Sequence, residues 1–266
     1  MKILVIGAGV MGKQITDIFT KYGHEVKNVS QRRIQKWALI KNNGSFYDVI
    51  IETVREDFKL KQNILSAILT ECDKDTIVCT NTSTYNVDDL TKGIMTNEHP
   101  LYGLHFFNPV SKISMVELAS PSTNSNIDDI SKLMQLIESI EKNSYLYNAS
   151  AIRMSPVNTI LFNQFIAAFS IVMESENSIT YTDVDKLMKT CCKLPMGPFK
   201  LMDFIGLDIV SSVLSNMFEY KDNIQYSYKL IKYISDTLYT KVSIEYSLGV
   251  KTGKGFYDYT VDKNEY

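Results

Sequence analysis

This sequence lacks charge of one sign. Its 28 Lys and Arg nearly balance 30 Asp and Glu, giving a formal net charge of −2 at pH 7. No global basic field is present to hold nucleic acid or an anionic membrane, so neither is expected as a partner, although a local patch can still hold phosphates. Cysteine is scarce. Cys72, Cys79, Cys191 and Cys192 show no metal-ligand spacing, and the adjacent pair is a poor disulfide framework. They read as reduced thiols, mostly in the core, as in a cytoplasmic protein, and no metal site is expected. No stretch approaches the ~20 apolar residues of a membrane span. The first apolar run, Ile3 to Ile6, stops at glycine and falls short of the roughly 7–15 residues of a secretory core, so the chain is expected to start directly in its fold.

What is present is ordinary globular material, 45% hydrophobic and 22% charged over 266 residues, enough for one large or two modest domains. The first 150 residues alternate short apolar runs with amphipathic segments. Strands are expected at Lys2–Ile6, Glu25–Val29, Tyr47–Thr53, Thr76–Thr80, Gly103–Phe107, Ile113–Leu118 and Ser144–Tyr147. Helices are expected at Gly12–Tyr22, Phe58–Thr70 and Ile127–Ile140. Such alternation predicts a parallel sheet with helices on both faces. From Asn158 to about Gly249 the periodicity is helical almost throughout. Thr182 and Asp185 have capping-box spacing, and Gly197-Pro198 marks a turn into another helix. The fold expected is therefore α/β, a Rossmann-type doubly wound sheet over 1–150 followed by an all-α domain over 151–266.

Gly7-Ala8-Gly9-Val10-Met11-Gly12 follows the first strand and opens the first helix. The first glycine allows a tight turn, the second lets a pyrophosphate reach the backbone, and the third lets helix pack on strand. Amides at the helix N-terminus then face the anion. Gly7, Gly9, Val10, Met11 and Gly12 are the expected cofactor contacts. A dinucleotide loop usually has an acidic partner about 20 positions on, at the end of the second strand, for the ribose 2′-hydroxyl. Here that place reads Val29-Ser30-Gln31-Arg32-Arg33, and no carboxylate lies between Val26 and Lys36. Ser30, Arg32 and Arg33 can hydrogen-bond and neutralise a 2′-phosphate, which predicts NADP(H) over NAD(H). The arginines fit a solvated helix start as well.

Leu104-His105-Phe106-Phe107-Asn108-Pro109 places a histidine in an apolar run that ends in a turn. Ile113–Leu118 then resumes as an extended run carrying Glu117. Two extended segments joined by a short turn can set His105 beside Glu117. A carboxylate on one imidazole nitrogen fixes the tautomer and leaves the other free to move a proton. A histidine among aromatic residues also fits a satisfied core position.

The motifs GAGVMG at 7–12, VIIETVREDFKLK at 49–61, NTS at 81–83, GLHFFNPVSKISMVEL at 103–118, PMGPFKLMDFIGLD at 195–208 and GKGFYDY at 253–259 run most of the chain in order. In these the sequence resembles the 3-hydroxyacyl-CoA dehydrogenase family, including the short bacterial 3-hydroxybutyryl-CoA dehydrogenases. The resemblance implies hydride transfer between a nicotinamide cofactor and a 3-hydroxyacyl group, with His105 as acid/base paired to Glu117. It implies that Ser83 contacts the substrate oxygen and that an asparagine near the helical domain contacts the carbonyl; Asn158 is that residue, with Asn163 the competitor. Asn108 is expected on the substrate side, and Asn81 and Glu56 near the cofactor, although Glu56 equally suits a solvated helix start. The helical domain is expected to form a homodimer. The family's helical hairpin after the second strand, which helps grip CoA, is missing from the stretch between Ser30 and Glu52. An acyl-CoA is the expected substrate. A smaller free hydroxy acid, or a non-catalytic NADP(H)-binding role, remains open.

Overall fold

A computed structural model describes residues 1–30, 47–94, 99–152, 154–176, 178–219 and 226–260. The expected hairpin deletion, Arg32 and Arg33 fall outside these residues. The chain divides into two compact units, Met1–Pro156 and Val157–Tyr266. Residues 149–155 stay with the first unit because Ser155 N–H donates to Ser83 O at 3.2 Å.

The first unit is built on a seven-stranded sheet in the order β2-β1-β3-β4-β5-β6-β7. The strands are β1 (Lys2–Ile6), β2 (Glu25–Val29), β3 (Val49–Glu52), β4 (Ile77–Thr80), β5 (Leu101–Phe106), β6 (Met115–Ser120) and β7 (Asn143–Asn148). β1 to β5 run parallel, β6 is antiparallel to β5, and β7 is parallel to β6. Parallel strands buried on both faces need continuous apolar runs, and VIIE, IVCT and LYGLHF are buried at every residue. Side chains alternate across the sheet. Ile3 and Val5 of β1 face the helices α1 (Val10–Lys21) and α4 (Ile127–Glu138), whereas Leu4 and Ile6 face α2 (Phe58–Glu71) and α3 (Val87–Thr91). Each fully buried aliphatic or aromatic side chain contributes about 1.5–3 kcal/mol. The five-residue α3 has no counterpart in the sequence expectation. Its cap, Asn86, accepts from Asp88 N–H at 2.8 Å.

The second unit is helical: α5 (Pro156–Glu174), α6 (Tyr181–Cys192), α7 (Pro198–Ile205), α8 (Leu207–Glu219) and α9 (Tyr228–Tyr239), then a short π turn and a 3-10 turn. Pro198 opens α7 at its first turn, as Gly197-Pro198 predicts. The capping expectation is corrected by two residues. Thr180 and Asp183 form the box on α6, because Asp185 is buried and turned to other donors. The cysteine expectation is corrected too: only Cys79 is buried, Cys72 is half-buried, and Cys191 and Cys192 are exposed, all with free thiols. Burial pushes the Cys72 thiol up to about 11. The membrane-span expectation also needs correction, since α5 has 19 residues at mean hydropathy 1.4 and by length and composition could cross a bilayer. Its buried face explains that composition. Phe169 packs edge-on against Phe199, Tyr233 and Phe256, and Phe162, Phe165 and Ile166 are buried beside it.

Candidate active site

The first feature is the turn between β1 and α1. Gly7 has φ +128, and a Cβ there would lie 2.5 Å from Thr53 Oγ1; at Gly12 it would lie 1.9 Å from Gly7 O. Only glycine fits this crossing of helix and strand. Gly9 meets nothing within 4 Å and stands open. It is the N-cap of α1 and makes no side-chain cap bond, so the amides of Val10, Met11 and Gly12 are left to an incoming anion. These residues fit a dinucleotide pyrophosphate. Beneath the loop, Asn28 Nδ2 donates to Gly7 O at 3.2 Å, Gly12 O at 3.0 Å and Thr16 Oγ1 at 2.9 Å. Val29 pairs with Ile6, and Gly7 N–H donates to Val29 O at 2.8 Å, so Ser30 follows directly beside the loop.

The second feature is the antiparallel pair β5–β6. Its register sets His105 opposite Glu117. His105 Nδ1 lies 2.8 Å from Glu117 Oε2, with the two residues 8% and 2% exposed. Because Glu117 occupies Nδ1, the dyad orients the ring so that Nε2 is the working nitrogen. Nε2 makes no hydrogen bond to any described residue, and it is not sealed in, since Tyr47 Oη is the one buried side-chain polar atom left without a partner among them. Phe107 packs edge-on to the imidazole at 4.5 Å. A water-sized cavity of about 10 Å³ lies against the dyad, lined among others by Thr82, Tyr147 and Ser155. Burial pushes the Tyr147 phenol well above its ordinary range, with Glu117 adding to the effect, so it stays protonated there.

The third feature is the loop after β4. Asn81 N–H donates to Glu52 O at 2.8 Å, and its Oδ1 accepts from Phe106 N–H at 2.9 Å. That bond ties the loop to the residue after His105. Glu56, expected beside the cofactor or at a solvated helix start, is bonded into the loop after β4. Its Oε1 accepts from Thr82 Oγ1 at 2.5 Å, Ser83 N–H at 3.0 Å, Thr84 N–H at 3.0 Å and Thr84 Oγ1 at 2.7 Å. Its Oε2 lies 3.1 Å from Lys61 Nζ. Four donors converge on Oε1 and an ammonium on Oε2, and Asp57 caps α2 in its place. Burial pushes the Glu56 carboxyl up, but Lys61 and the hydroxyl and amide donors outweigh it and the net direction is down. Lys61 is 1% exposed and also bonds Glu52, both of whose oxygens lie 3.1 Å away. The result is a fixed backbone at Ser83, whose own hydroxyl makes no bond to a described residue.

The structure gives partners to two of the asparagines considered for substrate contact. Asn108 is exposed, and its Oδ1 accepts from Gln14 Nε2 at 2.9 Å, so its side-chain carbonyl faces α1. Asn163 donates its amide N–H to Thr159 O at 2.7 Å and accepts from Tyr226 Oη, and Asn158 lies in the first turn of α5. Sequence reasoning missed Lys61, Thr82 and Gln14. Only the short spacing of Glu52, Glu56 and Lys61 hinted at a cluster.

The family model described as "3-hydroxyacyl-CoA dehydrogenase, NAD binding domain" matches residues 33–149, and the one described as "3-hydroxyacyl-CoA dehydrogenase, C-terminal domain" matches residues 156–259. The chain belongs to the 3-hydroxyacyl-CoA dehydrogenase family and is an oxidoreductase of that family. A 3-hydroxybutyryl-CoA dehydrogenase of Clostridioides difficile is 30% identical over 293 aligned positions, covering 97% of this chain and 99% of that one. A probable 3-hydroxyacyl-CoA dehydrogenase of Caenorhabditis elegans is 34% identical, covering 80% and 67%. Among solved structures, (S)-3-hydroxybutyryl-CoA dehydrogenase PaaH1 from Ralstonia eutropha aligns with a TM-score of 0.74 at 26% identity, covering 97% and 99%. Mycobacterium tuberculosis FadB2 shares the fold with a TM-score of 0.77 at 23% identity, covering 97% and 98%.

Proposed function

We propose that the protein interconverts a 3-hydroxyacyl-CoA and its 3-ketoacyl-CoA, a 3-hydroxybutyryl thioester being the smallest example, and prefers NADP(H). The observation that carries the reading is the His105–Glu117 pair, with Nδ1 bonded and Nε2 open. In the oxidative direction Nε2 takes the C3 hydroxyl proton, and the buried Glu117 carboxylate stabilises the imidazolium that forms. The nicotinamide, when bound, supplies the hydride acceptor. The Ser83 hydroxyl, on a backbone that Glu56 holds, donates to the substrate oxygen, and Asn158 is assigned to the carbonyl by resemblance. In reduction the same proton returns from Nε2 to the forming alkoxide.

Ser30 beside the dinucleotide loop, with no carboxylate near it in sequence, supports NADP(H); Arg32 and Arg33 complete that argument from sequence alone. The alignment of 293 positions against a chain of 266 residues supports a deletion in this chain, so acyl-CoA must be gripped without the full family apparatus. Resemblance further supports a homodimer through the helical unit, where Phe204, Ile209, Tyr228 and Tyr239 are exposed, and a cytoplasmic location.

NADPH oxidation with acetoacetyl-CoA, and with free acetoacetate, tests this. Turnover of the thioester alone is expected, and turnover of the free acid alone would select the smaller substrate. A lower Michaelis constant for NADH than for NADPH would remove the cofactor preference. Glu117→Gln should lose roughly 10²–10⁴ in turnover, the range of general acid–base catalysis, while remaining folded. Wild-type turnover in that variant would remove the dyad from the account.

A further inference from the structure

The strand carrying His105 leads into the turn 107–114, and the strand carrying Glu117 leaves it, so the geometry of this turn sets how the two side chains meet. One residue in the turn is held on both sides. Val110 N–H donates to Gln14 Oε1 at 2.8 Å, and Val110 O accepts from Lys142 Nζ at 2.6 Å. Lys142 also donates to Ile113 O at 2.6 Å. Val110 is 1% exposed and Lys142 8%. A lysine buried on two neutral carbonyls is costly to place, and burial pushes its ammonium below the ordinary lysine range. Gln14 is fixed without ambiguity. Because Val110 N–H can only donate, the atom facing it must be the Gln14 oxygen. Nε2 then points to Asn108 Oδ1, at 2.9 Å. Gln14 sits one turn into α1, the helix whose N-terminus forms the dinucleotide loop.

We propose that Gln14 and Lys142 form a two-sided clamp on Val110 that positions His105 against Glu117, with Gln14 anchoring this turn to the dinucleotide helix. Both are positioning residues, and their effect on turnover rests on His105 being the acid/base. Gln14 reads the turn through one amide. It accepts from the Val110 peptide and donates to Asn108, so a shift of the turn relative to α1 breaks both bonds. Lys142 holds the other side from the residue just before β7. The pair thus fixes the turn between α1 and the residue before β7, where a displacement of ~1 Å near a reacting group can cost about 10²-fold in rate.

The test compares wild type, Gln14→Met, Gln14→Glu, Lys142→Met and the control Lys112→Met. The readouts are kcat with acetoacetyl-CoA, NADPH affinity from its fluorescence, and the exchange lifetime of the His105 imidazole Nδ1–H by NMR. Gln14→Met should lower kcat roughly tenfold and shorten the Nδ1–H lifetime, with NADPH affinity within about twofold of wild type. Gln14→Glu should recover kcat, since the carboxylate accepts from Val110 N–H and a turned Asn108 amide can donate to it. Lys142→Met should match or exceed the loss in Gln14→Met, and Lys112→Met should behave as wild type. An unchanged kcat and Nδ1–H lifetime in Gln14→Met would overturn the clamp, as would no recovery in Gln14→Glu or a loss that merely tracks unfolded protein. An inactive wild type would defeat the hydroxyacyl reading instead, and the Nδ1–H lifetime would still decide the clamp.

Discussion

The two units bury carboxylates by opposite means. In the first, Glu52 and Glu56 share one buried ammonium, Lys61, and the lysine is held by both at 3.1 Å. In the second, Asp203 accepts from Phe256 N–H at 2.8 Å, Tyr257 N–H at 2.9 Å and Tyr259 Oη at 2.9 Å. Asp185 accepts from Phe199 N–H, Lys200 N–H and Tyr257 Oη, each at 2.8 Å. The outcome follows the donor. Burial opposes the charge on Lys61, yet Glu56 and Glu52 outweigh it and its affinity for the proton rises. At Asp185 and Asp203 burial outweighs the neutral donors, and both carboxyls titrate above the ordinary aspartate range. An ion cluster suits a loop that must keep one geometry beneath Ser83. Neutral donors suit the folding of the GKGFYDY segment back onto α6 and α7.

The sharpest way to break this comparison is Lys61→Met. The stem still packs, but the buried Glu52 and the partly buried Glu56 lose their cation, at a cost of about 3–5 kcal/mol. Urea unfolding followed in the first unit should show it, and turnover should fall as the 82–84 loop relaxes. A loss below that seen for an exposed pair would mean that the cluster is not a cluster in energetic terms. Asp203→Asn should cost less, about 1–3 kcal/mol. The amide keeps an acceptor for Phe256 N–H and turns a donor toward Tyr257 N–H and Tyr259 Oη. The same unfolding measurement, read in the second unit, checks the order. A larger loss in Asp203→Asn than in Lys61→Met would reverse the comparison.

How much of this could be read in advance depends on distance along the chain. The sheet was legible because buried parallel strands need unbroken apolar runs. The dyad was legible because His105 and Glu117 sit on runs joined by one turn, 12 residues apart. Glycines 7 and 12 declared themselves through their spacing. The side chains that hold the site in place did not. Gln14 meets Val110 across 96 residues, and Asp203 meets Tyr257 across 54. Nothing in the local pattern marks such a partner. Asp185 was misread for a related reason: its spacing from Thr182 imitates a cap, and only burial shows that it faces inward. Lys61 lies among polar residues that read as a solvated helix face, although it is almost wholly buried.

The smallest effect is the most discriminating, because the two units should respond to acid with opposite sign. Glu56 binds its proton more weakly folded than unfolded, so its contribution is present above the ordinary glutamate value of 4.5 and is lost as pH falls through its lower folded value. Asp185 and Asp203 bind theirs more tightly folded than unfolded. Their contribution is present below the ordinary aspartate value of 3.8 and is lost as pH rises through the folded value. Moving from neutral pH down toward 4.5 should therefore tighten the second unit while the first keeps its ion cluster; further acid should loosen the first. Each tenfold change in a carboxyl's proton affinity is worth about 1.4 kcal/mol. Hydrogen exchange, corrected for intrinsic rates and compared for α7 against the amides of Ser83 and Thr84, measures the response. If α7 loses protection steadily over the same range, the amides and phenols around Asp203 outweigh its burial, and the two units hold their carboxylates in the same way after all.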